Sequence, residues 1–263
     1  MGLSAVLIAH DEAHRIARCL ESLRWADEIV IVVSEQTTDG TTEVARRFTD
    51  RVLVHRFEGF SDQRGWADQQ ARGDWILSVD CDEVVPEALA REIQETLVSP
   101  RFQAYRVPHL DYMFGKWIRH GGWYPQYHVR LYRRDAVRWD RDVHEKVEIS
   151  ATLGTLRQPI LHYAHGRVGD WVAKLTRYTS LEAEAMHRAG VRMTLPRLLA
   201  EPPLYSGYKY IWKQGWRDGA HGLALALLLG CYRLVRNLKL WDLQQSQKGP
   251  VEPDDCPPST SRS

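Results

Sequence analysis

Three carboxylates within four residues, Asp80, Asp82 and Glu83, close an otherwise apolar run that begins at Trp75. Oxygen donors at this spacing suit Mg²⁺ or Mn²⁺, which take a few carboxylates and leave the remaining positions to phosphate oxygens and water. The stretch Trp75-Ile76-Leu77-Ser78-Val79 follows Gly73-Asp74 and reads as a buried strand. With the strand carried through to Glu83, alternation aims Asp80 and Asp82 the same way at its C-terminal end. Open α/β sheets hold their ligands at that end. The same residues also fit a plainer reading, a strand followed by an acidic helix start, with Glu83 and Pro86 opening the helix.

The elements that must hold these groups follow from periodicity. Residues 4–9 read as a strand, and 12–23 as a helix with Ile16, Leu20 and Leu23 on one face. Residues 28–33 form a second strand, 39–48 a helix opened by Thr38-Asp39-Gly40, and 51–55 a third strand. A further helix over 59–72 precedes the acidic strand. This β-α-β-α rhythm predicts an α/β fold, a mostly parallel sheet with helices on both faces. Between 105 and 165, shorter strands (104–107, 128–132, 160–163) alternate with aromatic, Gly-rich loops such as 119–125, the kind that wall binding sites. Beyond Val168 the chain turns helical, with an amphipathic helix over 170–188 and one or two more over 205–241. The expected organisation is a catalytic domain over 1–165 and a helical region over 166–243, followed by a Pro-, Asp- and Ser-rich tail, 244–263, expected to be disordered.

Composition narrows the partners. Across 263 residues, 35 Lys and Arg face 34 Asp and Glu, a balance that argues for no nucleic acid. Cys19, Cys81, Cys231 and Cys256 are scattered without a CxxC or metal-type spacing, as expected of free thiols in a reducing compartment. The apolar N-terminus lacks a basic lead and runs straight into His10-Asp11-Glu12, so it reads as a strand and not as a signal peptide. The longest apolar run, 223–232, is about half of what a bilayer span requires.

Several segments, taken in order, resemble family 2 glycosyltransferases. They are Val6-Leu7-Ile8-Ala9-His10-Asp11-Glu12, Cys19-Leu20-Glu21-Ser22-Leu23, Trp25-Ala26-Asp27-Glu28-Ile29-Val30 and Thr38-Asp39-Gly40-Thr41. Gly59-Phe60-Ser61-Asp62-Gln63-Arg64 and Gly73-Asp74-Trp75, running into Asp80-Cys81-Asp82-Glu83, continue the series. Gly122-Trp123-Tyr124-Pro125, Arg130-Leu131-Tyr132-Arg133-Arg134 and Val143-His144-Glu145-Lys146-Val147 are similar to the branch that includes lipopolysaccharide inner-core β-1,4-glucosyltransferases. The resemblance implies a GT-A fold, a nucleoside diphosphate sugar donor (UDP-glucose for this branch), Mg or Mn, and inversion at the anomeric carbon. Inverting transfer is a single in-line displacement, so it needs a base on the acceptor hydroxyl and a counter-charge for the departing diphosphate.

Roles come with the resemblance, residue by residue. Asp82 is the implied metal ligand, and Asp80 contacts the metal or the donor. Ala9, Asp11, Glu12, Ser34, Asp39, Gln63, Arg64 and Arg130 line the implied donor site. Glu145 is the expected base, with His144 as an alternative base or a further metal ligand. The plainer reading is an ion pair of Glu145 with Arg141 or Lys146 on a surface turn, with Asp140 and Asp142 just upstream. Trp123 and Tyr124 would offer an acceptor sugar a stacking wall, or else pack beneath their own loop. Arg130, Arg133 and Arg134 could pair with phosphate; on a strand, Arg130 and Arg134 share a face that Arg133 opposes. Ser34 stands where relatives carry a nucleotide-contacting Asp, and Gly65 where an Asn is usual.

Residues 205–241 carry Lys209, Lys213, Arg217, Arg233, Arg236 and Lys239 against one acid, Asp218, with aromatic residues interleaved. That composition suits a helix lying in the headgroup plane. It implies an enzyme peripheral on the cytoplasmic face of the inner membrane, acting on a lipid-linked oligosaccharide acceptor. Packing of 223–229 on the catalytic domain, or on a second subunit of a homo-oligomer, is the alternative. Competing functions are transfer to a capsule, exopolysaccharide or polyprenyl-phosphate acceptor, and a non-catalytic membrane scaffold with this fold.

Overall fold

The computed structural model describes residues 2–139, 147–149 and 152–246. The chain divides into two compact units, Met1–Gly166 and Arg167–Ser263.

The first unit opens with β1 (Leu3–Ala9), α1 (Ile16–Glu21), β2 (Glu28–Ser34), α2 (Thr41–Ala45), β3 (Val52–His55), α3 (Phe60–Gln70) and β4 (Trp75–Ser78). There follow β5 (Glu83–Val84), α4 (Glu87–Val98), β6 (Ala104–Met113), β7 (Lys116–Trp117) and β8 (Gln126–Arg133). The last strands are β9 (Val137–Trp139), β10 (Val147–Ile149), β11 (Leu153–Thr155) and β12 (Ile160–His165). The main sheet runs β3-β2-β1-β4-β8-β6-β12-β5, with β7 and β11 also paired to β6, while β9 and β10 form a separate hairpin. β1 to β4 are mutually parallel, and β8 enters antiparallel between β4 and β6.

The central strands are mainly aliphatic because both faces of the sheet are covered. Leu3, Leu7, Ile31, Val33 and Leu77 pack on one side with Ile16 and Leu20 of α1 and Leu89 and Ile93 of α4. Val6, Val30, Val32 and Ile76 pack on the other side with Ala67 of α3 and Ala71. The expected α/β class is what the chain adopts.

One expectation fails where it matters. β4 stops at Ser78, and Asp80-Cys81-Asp82 form a turn in which the Glu83 N–H donates to Asp80 O at 2.9 Å. Strand alternation therefore does not orient the two aspartates. Glu83 is no helix-start acid either: it lies in β5, and α4 begins at Glu87 after Pro86.

The second unit contains α5 (Val168–Arg188), α6 (Leu195–Gly207) and α7 (Ala220–Ser246), the last two joined by a π-helical segment, Tyr208–Trp212, and a 3-10 turn, Gly215–Asp218. A Cβ on Gly230 of α7 would stand 2.1 Å from Ser206 Oγ, so glycine permits the close approach of α6 and α7. Arg236 of α7 is buried and donates to Glu182 of α5 and Glu201 of α6, each at 2.7 Å. The run 223–229 is not uniformly exposed: Leu225 and Ala226 are buried, whereas Leu223 and Leu227 face outward. Among the described residues no helix is long and apolar enough to cross a membrane. Of the tail expected to be disordered, Gln244, Gln245 and Ser246 complete α7, and 247–263 lie outside the described residues.

Candidate active site

β1, β2 and β4 are parallel, so their C-terminal ends share one edge of the sheet. β2 lies on one side of β1 and β4 on the other, which places a crevice between the segments that follow them. Ala9 ends β1, Ser34 ends β2, and the turn 79–82 follows β4.

Asp80 gives its two oxygens to two guanidinium groups. Arg64 Nη2 donates to Oδ1 at 2.5 Å, and Arg130 Nη2 to Oδ2 at 2.6 Å. The same Arg130 nitrogen reaches Glu83 Oε1 at 2.5 Å, and Glu83 Oε2 accepts the Asp80 backbone N–H at 2.9 Å. Arg64 also donates from Nη1 to Ser78 Oγ at 3.1 Å. Burial opposes ionisation of Asp80, but Arg130 and Arg64 outweigh it and hold the carboxyl well below the usual range. Burial pushes Glu83 up to about 7, with Arg130 pulling it back and the charge of Asp80 adding to the rise. Burial, reinforced by Arg130, keeps His109 neutral at ordinary pH. Its Nε2 accepts from Arg130 Nε at 3.4 Å while Nδ1 stands 3.5 Å from Glu83 Oε1.

Asp82 faces other partners. Its Oδ1 lies 3.6 Å from His162 Nε2, and its Oδ2 lies 3.4 Å from Arg15 Nη1. The other nitrogen of His162, Nδ1, is 2.6 Å from Asp111 Oδ1. Burial disfavours a charged His162, yet the bonds to Asp111 and Asp82 prevail and raise its pKa to about 10. The fold secures this placement twice: β6 pairs with β12 so that Asp111 sits opposite His162, and Tyr163 N–H donates to Asp82 O at 2.9 Å.

The ligand atoms of His109, Asp111 and His162 lie within 4.8 Å of one another and could hold a metal. His109, however, has both ring nitrogens engaged, by Arg130 and by Glu83. Asp82 Oδ1 with His162 Nε2 is the better donor pair, because Asp111 holds the other ring nitrogen, as carboxylates behind metal-binding imidazoles do, and a cation would take the place of the Nε2 proton. Imidazole with carboxylate suits Mn²⁺ or another first-row divalent ion. Asp80, with both oxygens held by arginines, is arranged to position its neighbours.

The remaining expected donor residues mostly knit loops together. Asp39 Oδ2 accepts the Ala13 N–H at 2.9 Å and its Oδ1 the Thr41 N–H at 3.0 Å, while Glu12 N–H donates to Thr41 Oγ1 at 2.7 Å. Glu12 pairs with Arg15, and Asp11, at φ 53°, accepts the Thr38 N–H at 2.8 Å. Ser34 Oγ accepts the Gln36 N–H at 3.2 Å, and buried Gln63 bonds His55 at 3.0 Å. Arg133 pairs with Asp135 at 3.2 Å, and Arg134 donates to Ala71 O at 2.7 Å, so neither shares the Arg130 cluster. Trp123 and Tyr124 follow Gly121 and Gly122, at φ 69° and 79°; Tyr124 is exposed and meets Trp117 edge-on at 5.8 Å. His144 and Glu145 lie outside the described residues, as do Asp140, Arg141, Asp142 and Lys146.

Sequence reasoning gave no role to Arg15, His109, Asp111 or His162. The available signal was polar residues on otherwise apolar strands, but it acquires meaning only once the β6–β12 register is known.

The family model described as glycosyl transferase family 2 matches residues 4–146, more than half of the 263-residue chain. The chain is 28% identical over 248 residues to the lipopolysaccharide core biosynthesis glycosyltransferase LpsC of Rhizobium meliloti (strain 1021), covering 91% of this chain and 92% of that protein. It is 25% identical over 255 residues to an uncharacterized glycosyltransferase of Rickettsia felis, covering 90% and 89% respectively. Among solved structures, mannosyltransferase PcManGT from Pyrobaculum calidifontis, in complex with GDP-Man and Mn²⁺, superposes with a TM-score of 0.52 at 13% identity. That match covers 91% of this chain and 87% of the other, and shows the shared fold.

Proposed function

Because this chain belongs to glycosyl transferase family 2, we propose that it transfers a hexose, with inversion, from a nucleoside diphosphate sugar to a lipid-linked lipopolysaccharide core acceptor. Glucose carried on UDP is the donor favoured by the sequence branch. The likeness to LpsC along nearly its whole length supports the acceptor class. Such an acceptor puts the enzyme on the cytoplasmic face of the inner membrane as a peripheral protein.

The observation that carries the chemistry is the Asp82–His162 pair backed by Asp111. These residues would hold the divalent cation, which when bound supplies counter-charge to the departing diphosphate. Asp80, gripped by Arg64 and Arg130, fixes the turn so that Asp82 presents its carboxylate beside the crevice. Arg15 holds the far oxygen of Asp82 and steadies its orientation. Proton removal from the acceptor hydroxyl falls to Glu145, or to His144. The loops after β1 and β2, tied together through Asp39 and Thr41, form the nucleotide side.

Calorimetric titration with a panel of nucleoside diphosphates, with and without Mn²⁺, tests the reading on wild type and Asp82→Ala. One nucleotide binding only with Mn²⁺, and lost in the variant, is the expected result. Failure of every nucleotide to bind would remove the transferase assignment.

A further inference from the structure

The helical unit carries a surface that glycosyl transfer does not use. Between α6 and α7 the chain turns a corner through Tyr208–Trp212 and Gly215–Asp218. The side chains on its outside are large and apolar: Leu204 is 70% exposed, Ile211 69%, Trp212 78% and Trp216 55%. Covering side chains of this size removes apolar surface from water and is stabilising. Three left in water on one short corner, with Leu204 just before it in the last turn of α6, form the kind of patch that marks an interaction site.

The corner is held in shape. A Cβ on Gly215 would stand 2.8 Å from Lys209 O, and one on Gly222 1.8 Å from Gly215 O. These two close backbone approaches brace the turn against α7, so the fold itself displays Trp212.

Charge identifies the occupant. Lys209, Lys213 and Arg217 interleave with the aromatic residues, and 204–217 contains no Asp or Glu. Lys213 Nζ lies 5.6 Å from the Tyr208 ring centre and Lys209 Nζ 5.7 Å from that of Tyr205. Aromatic rings favour headgroup depth, and ammonium groups at that depth meet lipid phosphates. A second copy docked through the same corner would bring like charges together.

We propose that residues 204–217 are a docking surface for an anionic phospholipid bilayer. Ile211, Trp212 and Trp216 enter the boundary between headgroups and acyl chains, and Lys209, Lys213 and Arg217 pair with the phosphates. The contact lies at this corner and not along 223–229, whose inner residues are packed within the helical unit. It stands apart from the donor chemistry, since a chain that bound no nucleotide would still dock.

Cosedimentation of the full chain with phosphatidylethanolamine/phosphatidylglycerol vesicles, against phosphatidylcholine vesicles, tests this. Wild type is expected to sediment with the anionic vesicles and to be released by salt. The double variant K209Q/K213Q should bind them roughly 30-fold more weakly, about 2 kcal/mol at some 1 kcal/mol per basic residue. The double variant I211S/W212S should remain in the supernatant while its thermal melt matches wild type, because both side chains are exposed. Equal sedimentation of wild type and both variants would overturn the proposal. So would a wild-type dimer that ignores vesicles and dissociates in I211S/W212S, which would give the corner to a second copy.

Discussion

His162 stands between two carboxylates, with Nδ1 2.6 Å from Asp111 and Nε2 3.6 Å from Asp82. Asp111 therefore sets which nitrogen of the ring faces the crevice. Asp111→Ala is expected to weaken Mn²⁺ binding about 10- to 100-fold, the usual effect of losing an orienting carboxylate. Titration of Mn²⁺ into the nucleotide-saturated protein measures it. Affinity equal to wild type would remove His162 from the metal site.

Arg130 bonds both Asp80 and Glu83 through one nitrogen. Arg130→Met should destabilise the first unit by about 3 kcal/mol, because it leaves buried Glu83 without its guanidinium and Asp80 with Arg64 alone. Arg130→Lys should recover only part, since a single ammonium lacks the fork that also reaches His109. Denaturant melts of both variants decide this. A variant of normal stability that has merely lost nucleotide affinity would make Arg130 a donor ligand.

Glu145→Gln removes a base while nearly preserving volume. Turnover should fall about 10²- to 10⁴-fold, the range for general base catalysis, with nucleotide affinity unchanged in calorimetry. If affinity falls in step with turnover, Glu145 binds substrate and the base lies elsewhere, His144 being the next to substitute.

In the helical unit, Glu201 accepts from Arg236 and Asn237. Burial works against the charged form, but those bonds prevail and hold its pKa below the ordinary 4.5. The folded state thus keeps Glu201 ionised at a pH where the unfolded chain takes up a proton. The stabilisation is present above pH 4.5 and is lost as pH falls through the depressed value. Glu201→Gln should flatten the acid limb of the Tm–pH profile. Arg236→Met should cost about 3 kcal/mol at neutral pH by removing the buried cation that Glu182 and Glu201 share; a neutral effect would mean that Arg233, Tyr232 and Asn237 satisfy those carboxylates.

The strands over 4–9 and 28–33 were legible because covering both faces of a sheet demands mainly aliphatic residues. The strand over 75–83 was read too long because Val79 and Cys81 are as buried in a turn as they would be in a strand. Apolar composition reports burial and not backbone direction. Asp80 and Asp82 were picked out by type, and Arg64 and Arg130 as donor-site residues, but the pairing of those arginines with Asp80 and the role of His162 were not, since the three arrive from α3, β8 and β12. His162 in particular depends on a register between distant strands that no local pattern encodes. The corner at Tyr208–Trp212 was hidden for a related reason, its residues reading as part of one or two helices over 205–241.

Among the described residues, three guanidinium groups at the crevice are already matched: Arg64 with Asp80, Arg130 with Asp80 and Glu83, Arg15 with Glu12 and Asp82. Those three offer little unmatched charge to attract a polyanion. A bare diphosphate and a bare cation would each be held poorly, whereas together they arrive with their charges largely cancelled. On the proposed chemistry, donor capture is a ternary assembly with strong heterotropic coupling, in which saturation by either component has little meaning without the concentration of the other.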